Sequence, residues 1–247
     1  MINLSKRLIK RSFNLLGLDI IKILKEPSHS FLGIKNLPIQ TIIDVGANNG
    51  QFAKIATDIF PEARIYCFEP LPEPYKELEE WIEKQKNDKV TSHNLAVGKI
   101  DGTLEMFYHV EHNSSSSVLK TTKISEEVYS FTQKQVPIRV KSITLDNWVK
   151  SLSKPLAPEI LIKLDVQGYE DRVIMGGKEL FGMAKACILE VCLDRLYEEQ
   201  ATLKDISLLL YDLAYHYAGN LNQIYADDGH VIYIDAVFVK QDLNIKK

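Results

Sequence analysis

From Thr41 onward, short apolar runs alternate with longer stretches in which apolar positions recur every three or four residues. TIIDV at 41–45 reads as a strand buried on both faces, and a helix follows over 50–60 until Pro61 stops it. A second strand spans 64–68, a charged helix containing Trp81 spans 74–86, and a third strand covers 90–97. After the turn at 98–102, 103–108 reads as a further strand. Residues 112–125, HNSSSSVLKTTKIS, carry no period and read as a polar loop. The alternation then resumes: a strand over 136–143, a short helix over 144–151 and a fourth core strand over 160–165. A helix over 172–181, a fifth core strand over 186–193 and an amphipathic helix over 203–214 follow. The segments 231–234 and 236–240 read as a closing antiparallel pair. Strands alternating with helices predict an α/β fold around a mostly parallel sheet.

Residues 1–25 differ from the rest. Six basic residues stand against Asp19 alone, and Leu4, Leu8, Ile9, Phe13 and Leu15 recur near helical spacing. A basic helical appendage over 1–37 is expected, with the main domain over 38–247. The helix either packs on that domain with a solvated basic face or touches an anionic membrane surface weakly.

Composition narrows the class. A chain of 247 residues, 45% apolar and 26% charged, has the make-up of an ordinary globular domain plus an appendage. Its net charge of −3 gives no overall pull toward nucleic acid. Cys67, Cys187 and Cys192 lie inside apolar runs and form no CxxC pair, so reduced core thiols are expected. Lys10, Arg11, Asn14 and Asp19 break up the N-terminal apolar residues, and no run reaches the ~18 residues of a membrane span. The chain reads as cytoplasmic, with peripheral contact at the inner membrane face as the extension.

The chemistry is concentrated at the ends of the first two strands. IIDVGANNGQF at 42–52 is a strand, a glycine turn and a helix start, and CFEP at 67–70 ends the second strand in an acid. In a parallel sheet these ends face one crevice, where ligands bind. Gly46 and Gly50 permit close backbone approach. Glu69, before Pro70, can accept hydrogen bonds from both hydroxyls of an adenosine ribose. The glycines are spaced GxxxG rather than the GxGxxG of dinucleotide sites. Asp44 just before them repels a pyrophosphate and suits an amino-acid ammonium. S-adenosylmethionine carries an ammonium and no phosphate.

Those motifs, with NLAVG at 94–98, the serine run, ITLDNW at 143–148, IKLDVQGYE at 162–170 and DAVFVK near the C-terminus, resemble the FkbM family in order and content. These are S-adenosylmethionine-dependent methyltransferases, most of them O-methyltransferases acting on sugar or polyketide hydroxyls. The resemblance covers roughly residues 38–240. It implies a class I Rossmann-like fold, with a doubly wound, mostly parallel sheet and an antiparallel C-terminal strand. It places Asp44, Gly46, Ala47, Asn48 and Gly50 around the methionine part. Glu69 and Pro70 fall at the ribose, and Asn94, Leu95 and Ala96 beside the adenine. A hydroxylated small-molecule or glycan acceptor is implied.

The acceptor side stays open. Asp165 ends the fourth core strand and is the base, the ammonium partner or the cap of the next helix. Lys163 shares its face and is a structural ion pair, with Glu170 or Glu190, or an active-site cation. Ser116, in the serine run, either touches the cofactor or acceptor or belongs to a flexible loop. His112 is the histidine placed for base duty, or is simply exposed. No metal-ligand spacing stands out, although Asp165, Asp194 and Asn220 could converge. Two rival classes remain, a nicotinamide-dependent sugar reductase or epimerase and a non-catalytic cofactor-binding module. None of the eleven tyrosines has Lys four residues later, as such reductases usually require.

Overall fold

The computed structural model describes residues 12–17, 30–86 and 88–240. Among these the strands are β1 (Thr41–Val45), β2 (Arg64–Phe68), β3 (Val90–His93), β4 (Ala96–Val97), β5 (Gly102–His109) and β6 (Gln135–Ile143). They continue with β7 (Ile160–Leu164), β8 (Ala186–Cys192), β9 (Tyr215–Tyr225) and β10 (Val231–Lys240). The helices are α1 (Gln51–Ile59), α2 (Pro72–Gln85), α3 (Lys123–Val128), α4 (Leu145–Ser151), α5 (Glu170–Gly176), α6 (Lys178–Met183) and α7 (Leu203–Asp212). Seven strands form one sheet in the order β3-β2-β1-β7-β8-β10-β9, and β4-β6-β5 form a small second sheet. Pairing is parallel from β3 to β8, and β10 runs antiparallel to both β8 and β9. This is the Rossmann-like architecture expected.

The central strands form because both faces are buried. Ile43, Ile162, Leu189 and Phe238 face one core layer with Trp148 and Phe181. Ile42, Leu161, Ile188 and Val237 face the other with Ala53, Ala56 and Leu78. On that second face the next outward-pointing residues at the C-terminal ends of the parallel strands are charged: Asp44, Lys163 and Glu190. Asp235 joins them from antiparallel β10, in register with Glu190. An apolar floor therefore changes to a charged ledge where the chain order reverses between β1 and β7, the switch point at which such sheets bind ligands.

Several elements differ from the sequence reading. The strand expected over 90–97 stops at His93, and Ala96–Val97 pairs with β6 in the second sheet. The helix expected over 172–181 is two helices. At their junction a Cβ on Gly176 would lie 2.0 Å from the Gly98 carbonyl, so two backbones meet there and the helix must turn. The pair expected at 231–234 and 236–240 is a single strand whose partner, β9, the pattern did not reveal. The polar stretch 112–125 holds a turn of 3₁₀ helix at Asn113–Ser115 and the start of α3, capped by Thr122.

Most of the expected basic appendage over 1–37 lies outside the described residues, although 12–14 are helical. The 3₁₀ turn Phe31–Asn36 buries Phe31 and Ile34 in the second core layer. Its Leu32 side chain lies against β9, where a Cβ on Gly219 would come within 3.1 Å. No described helix is long and apolar enough to cross a membrane.

Candidate active site

A cavity of about 860 Å³ opens over the ends of β1, β7 and β8. That is near the top of the ~300–1,000 Å³ range of small-molecule sites, and suits two ligands held side by side. The β1 turn, the loop 112–118, residues 129–132 and the β9–β10 hairpin wall it.

At the β1 end the backbone curls tightly. Gly46 has φ of 78°, and a Cβ there would lie 1.8 Å from the Asp165 carbonyl oxygen. The chain after β1 and the chain after β7 thus touch, with Asp165 N–H donating to the Val45 carbonyl at 3.0 Å. Asp44 is 1% exposed, and its Oδ2 has no hydrogen-bond partner among the described residues. Burial pushes its carboxyl up to about 7, against the pull of Lys163. Asn48, at φ 47°, aims its backbone N–H at Glu69 Oε2, 2.8 Å away, and the Leu71 N–H donates to Glu69 Oε1 at 2.8 Å. These bonds fix the Glu69 carboxylate and leave each oxygen a lone pair for a ligand. Burial raises Glu69 to about 7, with both backbone bonds opposing.

Ala47, Pro70, Leu95 and Ala96 line the same end of the cavity. Asn94 and Gly50 do not. The Asn94 amide donates to the Glu69 and Pro70 carbonyls at 2.9 and 3.2 Å, so it shapes the turn beneath the ligand space. Gly50 starts α1 at φ 87° under Leu78.

On the charged ledge, Lys163 is 6% exposed and pairs with Asp165 at 3.5 Å and Asp235 at 3.4 Å. Neither Glu170 nor Glu190, the partners expected from sequence, lies within ion-pair distance. Burial opposes its charge, but Asp165, Asp235, Glu190 and Asp44 outweigh it and hold the ammonium above its usual range. Asp165 does not cap the next helix, whose first residues have no side-chain cap. Glu170 serves that turn instead: its Oε1 accepts the N–H groups of Val166 and Gly168, and burial raises its carboxyl to about 7.

Gln167 joins the ledge together. Held at φ 55°, it donates from Nε2 to Asp165 Oδ1 at 2.9 Å and to Glu190 Oε1 at 2.6 Å. Its Oε1 accepts from the Tyr197 hydroxyl at 2.7 Å, which also lies 3.0 Å from the Ser115 carbonyl. Sequence reasoning missed Gln167, Tyr197, Tyr233 and Asp235 as cavity residues. The signal for Asp235 was visible, because a charge interrupts an otherwise apolar strand.

The serine loop is ordered by its own hydroxyls. Ser116 Oγ accepts from the His109 N–H at 3.0 Å, and Ser117 Oγ donates to the Gln167 carbonyl at 2.7 Å. Ser116 is buried and lines the cavity. His112 stands at the rim, exposed, hydrogen-bonded to Ser115 through Nδ1 at 2.8 Å and packed on Phe131 with ring centroids 4.6 Å apart. Asp194 is paired with His230 at 3.0 Å, and Asn220 is bonded to Gln223, both outside the cavity.

The model of the methyltransferase FkbM domain matches residues 44–217, which include the β1 turn, the serine loop and the whole ledge except Asp235. The chain belongs to the FkbM methyltransferase family. A relative, the 2-O-methyltransferase NoeI of Sinorhizobium fredii, is 28% identical over 180 residues, covering 70% of this chain and 72% of that one. The crystal structure of an FkbM methyltransferase from Methylobacillus flagellatus KT superposes with a TM-score of 0.51 at 11% identity, over 82% of this chain. This chain spans 44% of that one's length. The magnesium protoporphyrin IX methyltransferase of Synechocystis PCC 6803, with bound SAM, gives a TM-score of 0.49 at 12% identity over 96% of this chain and 97% of its own.

The cofactor is S-adenosylmethionine, and the cavity fits it. The unpartnered, buried Asp44 Oδ2 needs a donor or a cation. Five carboxylates, on Asp44, Glu69, Asp165, Glu190 and Asp235, line the space with Lys163 as the cation among them. Such a surplus suits a ligand bearing an ammonium and a sulfonium, and disfavours a pyrophosphate.

Proposed function

We propose that the protein methylates a hydroxyl on a sugar, carried by a polysaccharide, a glycolipid or a glycosylated metabolite. One observation carries this reading. The cavity is lined by Tyr129, Phe131, Tyr225 and Tyr233 as well as by Asp165 and Glu190. Flat apolar faces beside hydrogen-bond acceptors match a sugar, which has apolar ring faces and a rim of hydroxyls. The relative named as a 2-O-methyltransferase supports oxygen as the methylated atom. The carboxylates oppose a phosphate-rich acceptor such as nucleic acid.

In this reading Asp44 with the Gly46–Asn48 backbone holds the methionine end of the donor. Glu69, kept in place by the Asn48 and Leu71 N–H groups, holds the ribose, and Leu95 and Ala96 flank the adenine. S-adenosylmethionine supplies a methyl group on a positively charged sulfur. The protein's work is then mainly positioning, which can lower a two-substrate barrier by roughly 7–11 kcal/mol. Asp165, gripped by Gln167 and Lys163, orients the acceptor hydroxyl. Ser116 and His112 border the acceptor's path.

The test is methyl transfer from isotopically labelled donor to a panel of free and lipid-linked sugars, with the product position read by NMR. Label on a sugar oxygen is the expected result. Label only on nitrogen, carbon or a polynucleotide overturns the reading.

A further inference from the structure

Two carboxylates lining the cavity, on Asp165 and Glu190, share the Gln167 amide, and their surroundings differ. Asp165 has both oxygens engaged, Oδ1 by Gln167 at 2.9 Å and Oδ2 by Lys163 at 3.5 Å. Glu190 is engaged on one side only, with Oε1 accepting from Gln167 at 2.6 Å. That is the one hydrogen bond of the Glu190 side chain among the described residues, which leaves Oε2 without one, and Glu190 lines the cavity. The shared Gln167 nitrogen keeps Asp165 Oδ1 and Glu190 Oε1 no more than 5.5 Å apart, the sum of its two bonds. Glu190 lies in register with Asp235, two residues from Tyr233 on β10, and all three line the cavity.

We propose that Glu190 is the general base of the transfer and takes the acceptor proton on Oε2, while Gln167 is a positioning residue that aims both carboxylates. This rests on the reading of the protein as a hydroxyl methyltransferase. The acceptor O–H bond breaks and its proton passes to Glu190 Oε2, as a lone pair of the acceptor oxygen forms the new O–CH3 bond. The S–CH3 bond breaks with its electron pair left on sulfur. One carboxylate and one sulfonium thus become a carboxylic acid and a thioether, so charge balances with no further reactant.

The environment suits that role. Burial, then the neighbouring Asp165, holds the Glu190 carboxyl well above the usual carboxylate range, and Lys163 pulls the other way. Asp235 and Glu170 add to the rise, and Tyr197, Tyr233 and Cys192 are the remaining titratable groups facing it. A carboxylate whose affinity for protons is raised toward working pH is a more effective base than an ordinary one. The donor's positive charge favours its ionised form when both substrates are bound.

The experiment compares wild type with Glu190→Gln and Glu190→Asp. In the donor-free protein, infrared spectra should show a protonated carboxyl band that persists at pH above the usual carboxylate range and that Glu190→Gln lacks. Affinity for S-adenosylhomocysteine, measured by calorimetry, should stay within about threefold, which also verifies folding. On a sugar hydroxyl that wild type methylates, kcat should fall roughly 10²–10⁴-fold and lose its rise with pH, with Glu190→Asp intermediate. Wild-type turnover in Glu190→Gln, or a loss of S-adenosylhomocysteine affinity matching the loss of turnover, overturns the proposal. An unchanged infrared spectrum overturns it too. If wild type methylates no hydroxyl, the reading of function fails instead, and the infrared and calorimetric arms still report on Glu190.

Discussion

Replacing Lys163 by Met removes the cation of the charged ledge while keeping a long side chain in its place. Two carboxylates then lose their partner: Asp165 and Asp235, with side chains 34% and 24% exposed. Breaking a buried ion pair on one side costs about 3–5 kcal/mol, and the partial exposure of both acids points to the lower end. For a domain of this size, ~3 kcal/mol lowers the melting temperature by roughly 6–12 °C. Lys163 is held above its ordinary range, so its own contribution is fully present below its unfolded value of about 10.4 and constant between pH 5 and 8. Lys163 also holds down the raised carboxyls of Asp44 and Glu190, which bind protons more readily without it, so the deficit should be largest at pH 8 and shrink toward pH 5. Melting followed by circular dichroism at both pH values measures it. A variant melting within about 2 °C of wild type at pH 8 refutes the argument. So does an equal deficit at both pH values, which would make the loss one of packing.

The donor-free protein should itself be more stable at pH 5.5 than at pH 8. Asp44, Glu69 and Glu170 are each raised to about 7 from unfolded values near ~4. Raised acids stabilise the fold below the unfolded value and lose that contribution as pH climbs from about 4 to 7. Guanidinium midpoints that rise from pH 5.5 to 8 would contradict this. Gly46→Ala should destabilise by more than ~2 kcal/mol, since its Cβ would meet backbone 1.8 Å away at positive φ. Gly182→Ala, in α6 with open space around it, should be neutral or stabilising by up to ~1 kcal/mol. Equal midpoints for these two variants would sink the close-approach argument. Tyr197→Phe should cost ~1–1.5 kcal/mol and lower kcat with little change in S-adenosylhomocysteine affinity, because the hydroxyl holds the Gln167 amide that bonds Asp165 and Glu190. A large calorimetric change would place Tyr197 in the donor half instead.

Much of the donor half was legible because its signals are local. Asp44, Gly46 and Glu69 each end a strand that an unbroken apolar run announces, and a parallel sheet brings such ends to one edge. The ledge was harder to read, because its residues sit inside the pattern they disturb. Asp235 looked like a break between two short strands, whereas β10 runs straight through and turns that side chain into the cavity. β9 was invisible because YHYAGNLNQIY mixes polar residues and a glycine in an edge strand with one face open. Lys163 was seen to need a partner, but the choice between Glu170, Glu190 and Asp235 depends on strand order, which sequence spacing does not encode. Gln167 is read from sequence only as part of a turn, and its function comes from a left-handed backbone that swings its amide back over the sheet.

The turn Phe31–Asn36 also bears on solubility. β9 is an edge of the large sheet, eleven residues long, with β10 as its neighbour on one side and Leu32 leaning on Gly219. A long open edge offers unpaired N–H and C=O groups to any other strand, a template for chain-to-chain stacking. By packing Leu32 on it, this short turn should make the edge strand β9 a poorer seed for aggregation. A form of the chain beginning at Leu37 should therefore stay folded at the cavity yet self-associate in light scattering as concentration rises, and a truncated form that remains monodisperse would show that β9 protects itself.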